Sequence, residues 1–273
     1  MTTSTSRSCE TLWTLVGTAD YPVIVDARTD DDFNDDSRLI PGAVRRPGLE
    51  AADWADRYSG QTLVVYCHGG LKISQAAAAW LRHGGGKASF LTGGFQAWRA
   101  AGLPLVPTAK LPSRERNGTT VWVMRERPGI DDLACTWLIR RFVDRAAVFL
   151  FVEPSQVHLV AERYPGVTPF VVEDGFSSRR GDRSAFDDTI AEFGLETEPM
   201  SRLSDIVRGA DWARPDLAPE AAGLLAVQLG LSASTPDDLE RVERGMAVYD
   251  ALYRWARGAA GEADDRPVRR EVA

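Results

Sequence analysis

Apolar residues in the first hundred positions fall into short unbroken runs. Val23–Asp26 shows no polar alternation, as in a strand covered on both faces; residues 63–66 and 88–91 read as further strands. Stretches of helical spacing separate them: 9–16, 51–58, 73–82 and 94–101. Gly84-Gly85-Gly86 stops the third of these and Gly102 closes the fourth, glycine being the residue that ends helices. Strand and helix in alternation predict an α/β fold, a doubly wound parallel sheet with helices on both faces.

Further along, the pattern changes. Strands are expected at 119–124, 147–152 and 168–173, and helices at 133–142 and 154–164. Asp131 and Asp132 open the first of these helices, where the helix dipole favours acidic residues. From residue 185 the pattern is almost wholly helical, with segments at about 185–193, 199–209, 218–230 and 236–257. This half reads as a mainly helical α+β unit. Pro104, Pro107 and Pro112, then a polar run from Ser113 to Gly118, read as a semi-extended connection. The expected division is therefore 1–108, a linker at 109–118, a second domain at 119–260 and a flexible tail at 261–273.

Charge and composition narrow the classes. The chain carries a net charge of −7, which disfavours nonspecific nucleic-acid binding. Residues 119–273 hold 19 basic and 27 acidic residues, so the second half carries most of the excess. Three widely spaced cysteines, Cys9, Cys67 and Cys135, suit a reducing compartment rather than a disulfide framework. No apolar run is long enough for a bilayer, and residues 1–8 lack the apolar region of a secretory signal. A cytoplasmic protein without membrane contact is the expectation. The oligomeric state stays open.

The sharpest chemical feature is the segment 63–79. A buried strand delivers Cys67; a tight loop of His68, Gly69, Gly70, Leu71 and Lys72 follows, and then a helix opens. Loop N–H groups and the helix dipole favour negative charge at that place. The glycines let the backbone curl inward, and Lys72 adds a positive charge at the rim. The segment reads as a cradle for a nucleophilic sulfur and a small anion.

Residues 12–107 resemble a rhodanese domain. Val25-Asp26-Ala27-Arg28 is similar to that family's strand-end motif, and Ile40-Pro41-Gly42-Ala43 to its Ile-Pro-Gly-Ala turn. Cys67 to Lys72 is similar to its active-site loop, and Gly93-Gly94-Phe95 with Trp98 and Gly102-Leu103-Pro104 to its C-terminal signature. The resemblance implies sulfur transfer without a cofactor. Cys67 would carry a persulfide, His68, Gly69, Gly70, Leu71 and Lys72 would bind the substrate, and the partners would be a small sulfur-containing anion and a thiophilic acceptor. Only a thiolate attacks, so a lowered thiol pKa is required. Two positions depart from the family. Leu39 stands where a His usually precedes Ile-Pro-Gly-Ala, and Lys72 stands where Arg is common, losing the planar fork. A cysteine phosphatase would need Arg at the sixth position after the Cys, and that position is Ile73. Asp26 and Arg28 read as structural ties, Phe95 and Trp98 as core, and His83 as a helix end. His68 either tunes the thiolate or faces solvent.

Residues 119–258 resemble the C-terminal domain of the ChrB family, which is linked with bacterial chromate resistance. The motifs are Trp122-Val123-Met124-Arg125, Ile130-Asp131, Ala134-Cys135 and Trp137-Leu138-Ile139-Arg140-Arg141-Phe142. Phe149-Leu150-Phe151-Val152, Arg180-Gly181-Asp182-Arg183, Phe186-Asp187, Ile206-Val207-Arg208-Gly209-Ala210-Asp211 and the stretch 217–224 continue it. Arg179 and Ser184 stand where the family usually has His and Cys, which weakens a His/Cys metal or redox site; whether a metal binds is open. The polar residues Asp131, Asp132, Arg140, Arg141, Glu173, Asp174, Arg179, Arg180, Asp182, Arg183, Asp187, Arg208 and Asp211 suit an oxyanion or hard metal, but read more simply as ion pairs. Cys135 reads as a small core residue and His158 as a surface or core residue. The leading expectation is a sulfurtransferase associated with chromate resistance. The rivals are a chromate-responsive regulator with a rhodanese-like accessory domain and a non-catalytic binding module.

Overall fold

The computed structural model describes residues 5–114, 118–170 and 183–258. In the first half, β1 (Ser6–Arg7) and α1 (Cys9–Trp13) precede β2 (Val23–Asp26), α2 (Asp30–Asp35) and β3 (Ala43–Arg45). Then come α3 (Ala51–Trp54), β4 (Thr62–Tyr66), α4 (Lys72–His83), β5 (Lys87–Leu91) and α5 (Gly94–Ala100). The five strands form one parallel sheet in the order β1-β5-β4-β2-β3. Alternate residues of each strand feed opposite layers, because strand side chains alternate between faces. Ile24, Val64, Tyr66 and Leu91 join Leu12, Phe95 and Trp98 on one face. Val25, Leu63, Val65 and Ala88 join Trp54, Ala77, Ala78 and Leu81 on the other. The expected doubly wound sheet is present.

Several expected elements shift. The helix over 9–16 ends at Trp13, and that over 51–58 becomes a 3-10 turn after Trp54. Three short elements carry no sequence period: β1, β3 and the acidic α2. The last of these is held by its cap, Thr29, whose hydroxyl accepts the Asp32 N–H at 3.2 Å.

The second half contains β6 (Val121–Arg125), α6 (Ile130–Leu138), β7 (Val148–Val152), α7 (Val157–Arg163) and β8 (Val167–Pro169). The strands form a parallel sheet in the order β7-β6-β8. Four helices follow: α8 (Ala185–Glu192), α9 (Glu198–Asp211), α10 (Ala221–Ser234) and α11 (Asp238–Gly258). The helix expected over 133–142 starts earlier, at Ile130, and its last turn widens into a π turn, Ile139–Val143. There the Phe142 carbonyl leaves the helix pattern and accepts the Gly42 N–H from the other half at 2.6 Å. The helix expected over 154–164 opens as a 3-10 turn and is α-helical only from Val157. Of the strand expected over 168–173, residues beyond Phe170 lie outside the described residues, as do Glu173, Asp174, Arg179, Arg180, Asp182 and the tail from 259.

The two halves share a core. One apolar cluster runs from Leu12, Val16 and Tyr21 through Trp137 and Phe142 to Tyr253. Trp137 is its hub, with ring centroids 5.3 Å from Tyr253 and 5.5 Å from Phe142, and its indole N–H donates to Asp250 at 2.8 Å. The Arg257 guanidinium donates to the carbonyls of Trp13 and Val16 at 2.9 and 3.0 Å, closing the open end of α1. The segment expected as a linker is docked in part: Lys110 pairs with Glu192 at 2.6 Å, and Arg114 donates to the Gly118 carbonyl at 2.7 Å.

Gly17 sits at this junction with φ of 78°. A Cβ there would lie 2.5 Å from both the Phe142 and Tyr253 rings. Gly17→Ala is therefore expected to destabilise the fold by about 2–4 kcal/mol, combining left-handed strain with overpacking. Thermal unfolding would show the loss; an unchanged midpoint would mean that the two halves do not meet at this residue.

Candidate functional site

Cys67 follows β4 directly and is buried, 5% exposed. The loop after it can form only because of two glycines. Gly70 has φ of 67°, and a Cβ there would strike the Leu91 carbonyl at 2.4 Å and the Gly93 and Gly94 nitrogens at 2.6 Å. Gly94 has φ of 57°, and its Cβ would meet the Cys67 carbonyl at 2.2 Å. The first turn of α5 thus packs directly against the loop. The Phe95 N–H donates to the Cys67 carbonyl at 2.9 Å and the Gln96 N–H to the His68 carbonyl at 3.0 Å. With these carbonyls drawn toward α5, the N–H groups of His68 to Lys72 donate to no acceptor among the described residues. Unpaired N–H groups beside a buried thiol form an anion-binding concavity.

Around that concavity lies a cleft of about 400 Å³. Cys67, His68, Gly69, Leu71 and Lys72 line it, together with Asp32, Ile73 and Gln75. Gly70, with φ of 67°, makes the turn that brings these residues round the cleft. Two contributors were not apparent from the sequence. The Ser74 hydroxyl stands 3.2 Å from the Cys67 sulfur and 3.2 Å from the Leu71 carbonyl. The Asp32 carboxylate lies 3.9 Å from Nδ1 of His68, a buried nitrogen that lacks a hydrogen-bond partner. Ser74 could have been found by its place one turn into α4. Asp32 could not, because it reaches the cleft through a helix with no periodic signal.

Behind the cleft, Asp26 and Arg28 form a fully buried pair with a 2.6 Å contact. Arg28 also donates to the carbonyls of Asp36 and Arg38 at 2.6 and 2.8 Å, and its guanidinium lies 4.0 Å from the Phe95 ring centre. This pair ties the end of β2 to the segment 36–38. Leu39, at the position where a His would be usual, is buried and bridges to Val106 by two backbone hydrogen bonds of 2.8 and 2.9 Å. His83 ends α4 against the Trp80 ring.

The polar residues of the second half resolve into separate ties between elements. Arg140 pairs with Glu243, and Arg141 pairs with Asp250 at 2.7 Å. Arg125 pairs with Asp132 at 2.8 Å, Arg208 with Asp187 at 3.1 Å and Arg183 with Asp188 at 2.8 Å. No group of His, Cys, Asp and Glu that could hold a metal occurs among the described residues. Cys135 is fully buried, and desolvation pushes its thiol well above the usual range, so it is an inert core residue. His158 is exposed on α7.

Asp131 is the exception. Burial pushes its carboxyl up to about 6. The N–H groups of Phe186 and Ala185, at 3.0 and 2.8 Å, offset this only in part, and Asp211 raises it further. The folded state holds this proton more tightly than the unfolded chain does. Its contribution to stability is complete below about pH 4 and falls by about 3 kcal/mol as pH rises to about 6. Asp131→Asn, neutral throughout, is expected to gain on wild type by that amount between pH 4 and pH 7. A difference in urea midpoints that does not change with pH would contradict this.

Residues 8–101 match the family described as Rhodanese-like domain, and residues 122–256 match ChrB, C-terminal domain. The chain joins a rhodanese-like domain to a ChrB C-terminal domain. Protein ChrB of Cupriavidus metallidurans is 32% identical over 133 residues, covering 48% of this chain and 39% of that protein. The chain thus spans less than half the length of that relative. A rhodanese-related protein of Thermoplasma volcanium is 22% identical over 37% of this chain and 96% of its own, with a TM-score of 0.32. A rhodanese-like domain protein of Staphylococcus aureus is 26% identical over 34% and 89%, with a TM-score of 0.31. No helix among the described residues of this rhodanese–ChrB chain is long and apolar enough to cross a membrane.

Proposed function

We propose that the rhodanese-like domain is a working sulfurtransferase that carries a persulfide on Cys67 and acts in chromate resistance. The observation that carries this reading is the buried Cys67 sulfur at the head of a loop whose N–H groups, His68 to Lys72, have no acceptor among the described residues. A thiosulfate-type donor fits such a concavity. The Cys67 thiolate attacks the outer sulfur, a new S–S bond forms, and the bond to the sulfonate sulfur breaks. Sulfite leaves with that electron pair. An acceptor thiolate or cyanide then takes the outer sulfur and returns the Cys67 thiolate. Loop N–H groups hold the negative charge at both stages, as donors around a developing anion do. The Ser74 hydroxyl, 3.2 Å from the sulfur, donates to the Leu71 carbonyl and accepts from the neutral thiol; it turns its one proton to the sulfur once the thiolate forms. Lys72 supplies an exposed positive charge at the mouth. The chromate association rests on the ChrB C-terminal domain fused to this site.

The test is direct. After thiosulfate treatment, mass spectrometry of the Cys67 peptide is expected to show the gain of one sulfur atom, removed again by cyanide. A peptide that stays unmodified while the thiol is alkylatable would sink the proposal.

A further inference from the structure

A second cavity, of about 220 Å³, lies at the joint between the two halves. It shares no lining residue with the Cys67 cleft. Its apolar lining is Tyr21, Val44 and Tyr58, from the rhodanese-like half. Its cationic lining comes from three places. Arg46 comes from the end of β3, Arg114 from the connecting segment and Arg145 from the turn before β7.

Among the described residues, these three charges face one carboxylate. Asp144 is the one carboxylate among the lining residues. Its oxygens are occupied by the Thr120 N–H and hydroxyl at 2.6 and 2.8 Å and by the Ala146 N–H at 3.0 Å, with Arg114 at 3.5 Å. Arg140 and Arg141 also line the cavity but are neutralised by Glu243 and Asp250. Arg46 and Arg145 have no carboxylate partner among the described residues. Among the described residues, Arg145 donates to the carbonyls of Tyr21 and Ala19. Arg46 reaches the Arg45 carbonyl at 3.1 Å, and its Nε is buried without a partner. The heads of Arg46 and Arg114 meet at one point. Arg114 donates to the Gly118 carbonyl at 2.7 Å, and Nη2 of Arg46 lies 3.4 Å from where a Gly118 side chain would start.

In a chain of net charge −7, this is a sharp local reversal. Guanidinium forks match phosphate and carboxylate oxygens. A sulfate-sized ion would leave the apolar lining without contact, and pockets for organic ligands combine such a lining with a few placed polar groups. We propose that this cleft binds a small organic oxyanion, its charged head on Arg46, Arg114 and Arg145 and its apolar body against Tyr21, Val44 and Tyr58.

Phenyl phosphate and inorganic phosphate, titrated into the full chain by calorimetry at matched ionic strength, test this. Phenyl phosphate is expected to bind saturably and about tenfold or more tightly than inorganic phosphate, since only it buries a ring. Arg46→Gln is expected to weaken phenyl phosphate about tenfold or more, and Arg46→Lys, which keeps the charge but not the fork, to fall between. Cys67→Ser, which removes sulfur transfer, is expected to leave the phenyl phosphate affinity as it is, because the two sites share no lining residue. The proposal is overturned by no saturable binding, by equal affinity for the two probes, by unaltered affinity in both Arg46 variants, or by loss of binding in Cys67→Ser.

Discussion

Cys67→Ser is expected to reduce sulfur transfer from thiosulfate to cyanide to the uncatalysed background, a loss of about three orders of magnitude or more. The effect is large because the sulfur is both nucleophile and carrier, and a serine hydroxyl can neither ionise at neutral pH nor hold a sulfane sulfur. Ser74→Ala should cost far less, roughly tenfold, by removing one hydrogen bond to the sulfur at 3.2 Å while leaving the loop N–H groups in place. The two variants together separate chemistry from positioning. Steady-state rates and the yield of trapped persulfide are the readouts. A Cys67→Ser protein that turned over at the wild-type rate would exclude the persulfide route, and a Ser74→Ala protein as inactive as Cys67→Ser would make the hydroxyl more than a positioning group.

The second large effect concerns stability. Arg28→Met is expected to destabilise the chain by about 3–5 kcal/mol, since it strands the Asp26 carboxylate in the interior. Both partners are fully buried, and Arg28 also holds the carbonyls of Asp36 and Arg38. Asp26→Asn combined with Arg28→Met should recover part of that loss, because the uncompensated charge is then gone. Urea unfolding of the two variants measures it. A cost under about 1 kcal/mol for Arg28→Met would show that the pair does not secure this segment. Asp32 sits on α2 just before that segment, so a loosened loop should also blunt the cleft wall beside His68.

The sheet of the first half was readable from its unbroken apolar runs, because a strand buried on both faces has no solvent side to break the pattern. The loop from Cys67 to Lys72 was readable for a different reason: glycine spacing beside a strand end has few structural meanings. What escaped notice was set by tertiary contact. The strand Ala43–Arg45 is three residues long, and α2 is an acidic helix whose cap does more than its weak propensity. Ser74 lies at the start of a helix, and only the fold of the loop brings its hydroxyl to the sulfur. The polar segment 109–118 has the composition of a free linker. Its docking depends on Glu192, far away in sequence, which no local pattern reveals. The ion pairs of the second half were foreseen as a group, but not which charge meets which.

The contact between Arg257 and the end of α1 has a consequence for how the chain is made. A ribosome delivers the rhodanese-like half long before α11 exists. Until residues 249–257 emerge, the surface built from Trp13, Val16 and Gly17 lacks the cover of Tyr253, and the Trp13 and Val16 carbonyls lack the Arg257 guanidinium. Contacts spanning some 240 positions close late and slowly. The newborn first half therefore spends the time needed to translate the remainder with an adhesive flank, the stage at which nascent chains associate wrongly and chaperones engage. Slower synthesis of the second half should then lower the yield of native protein.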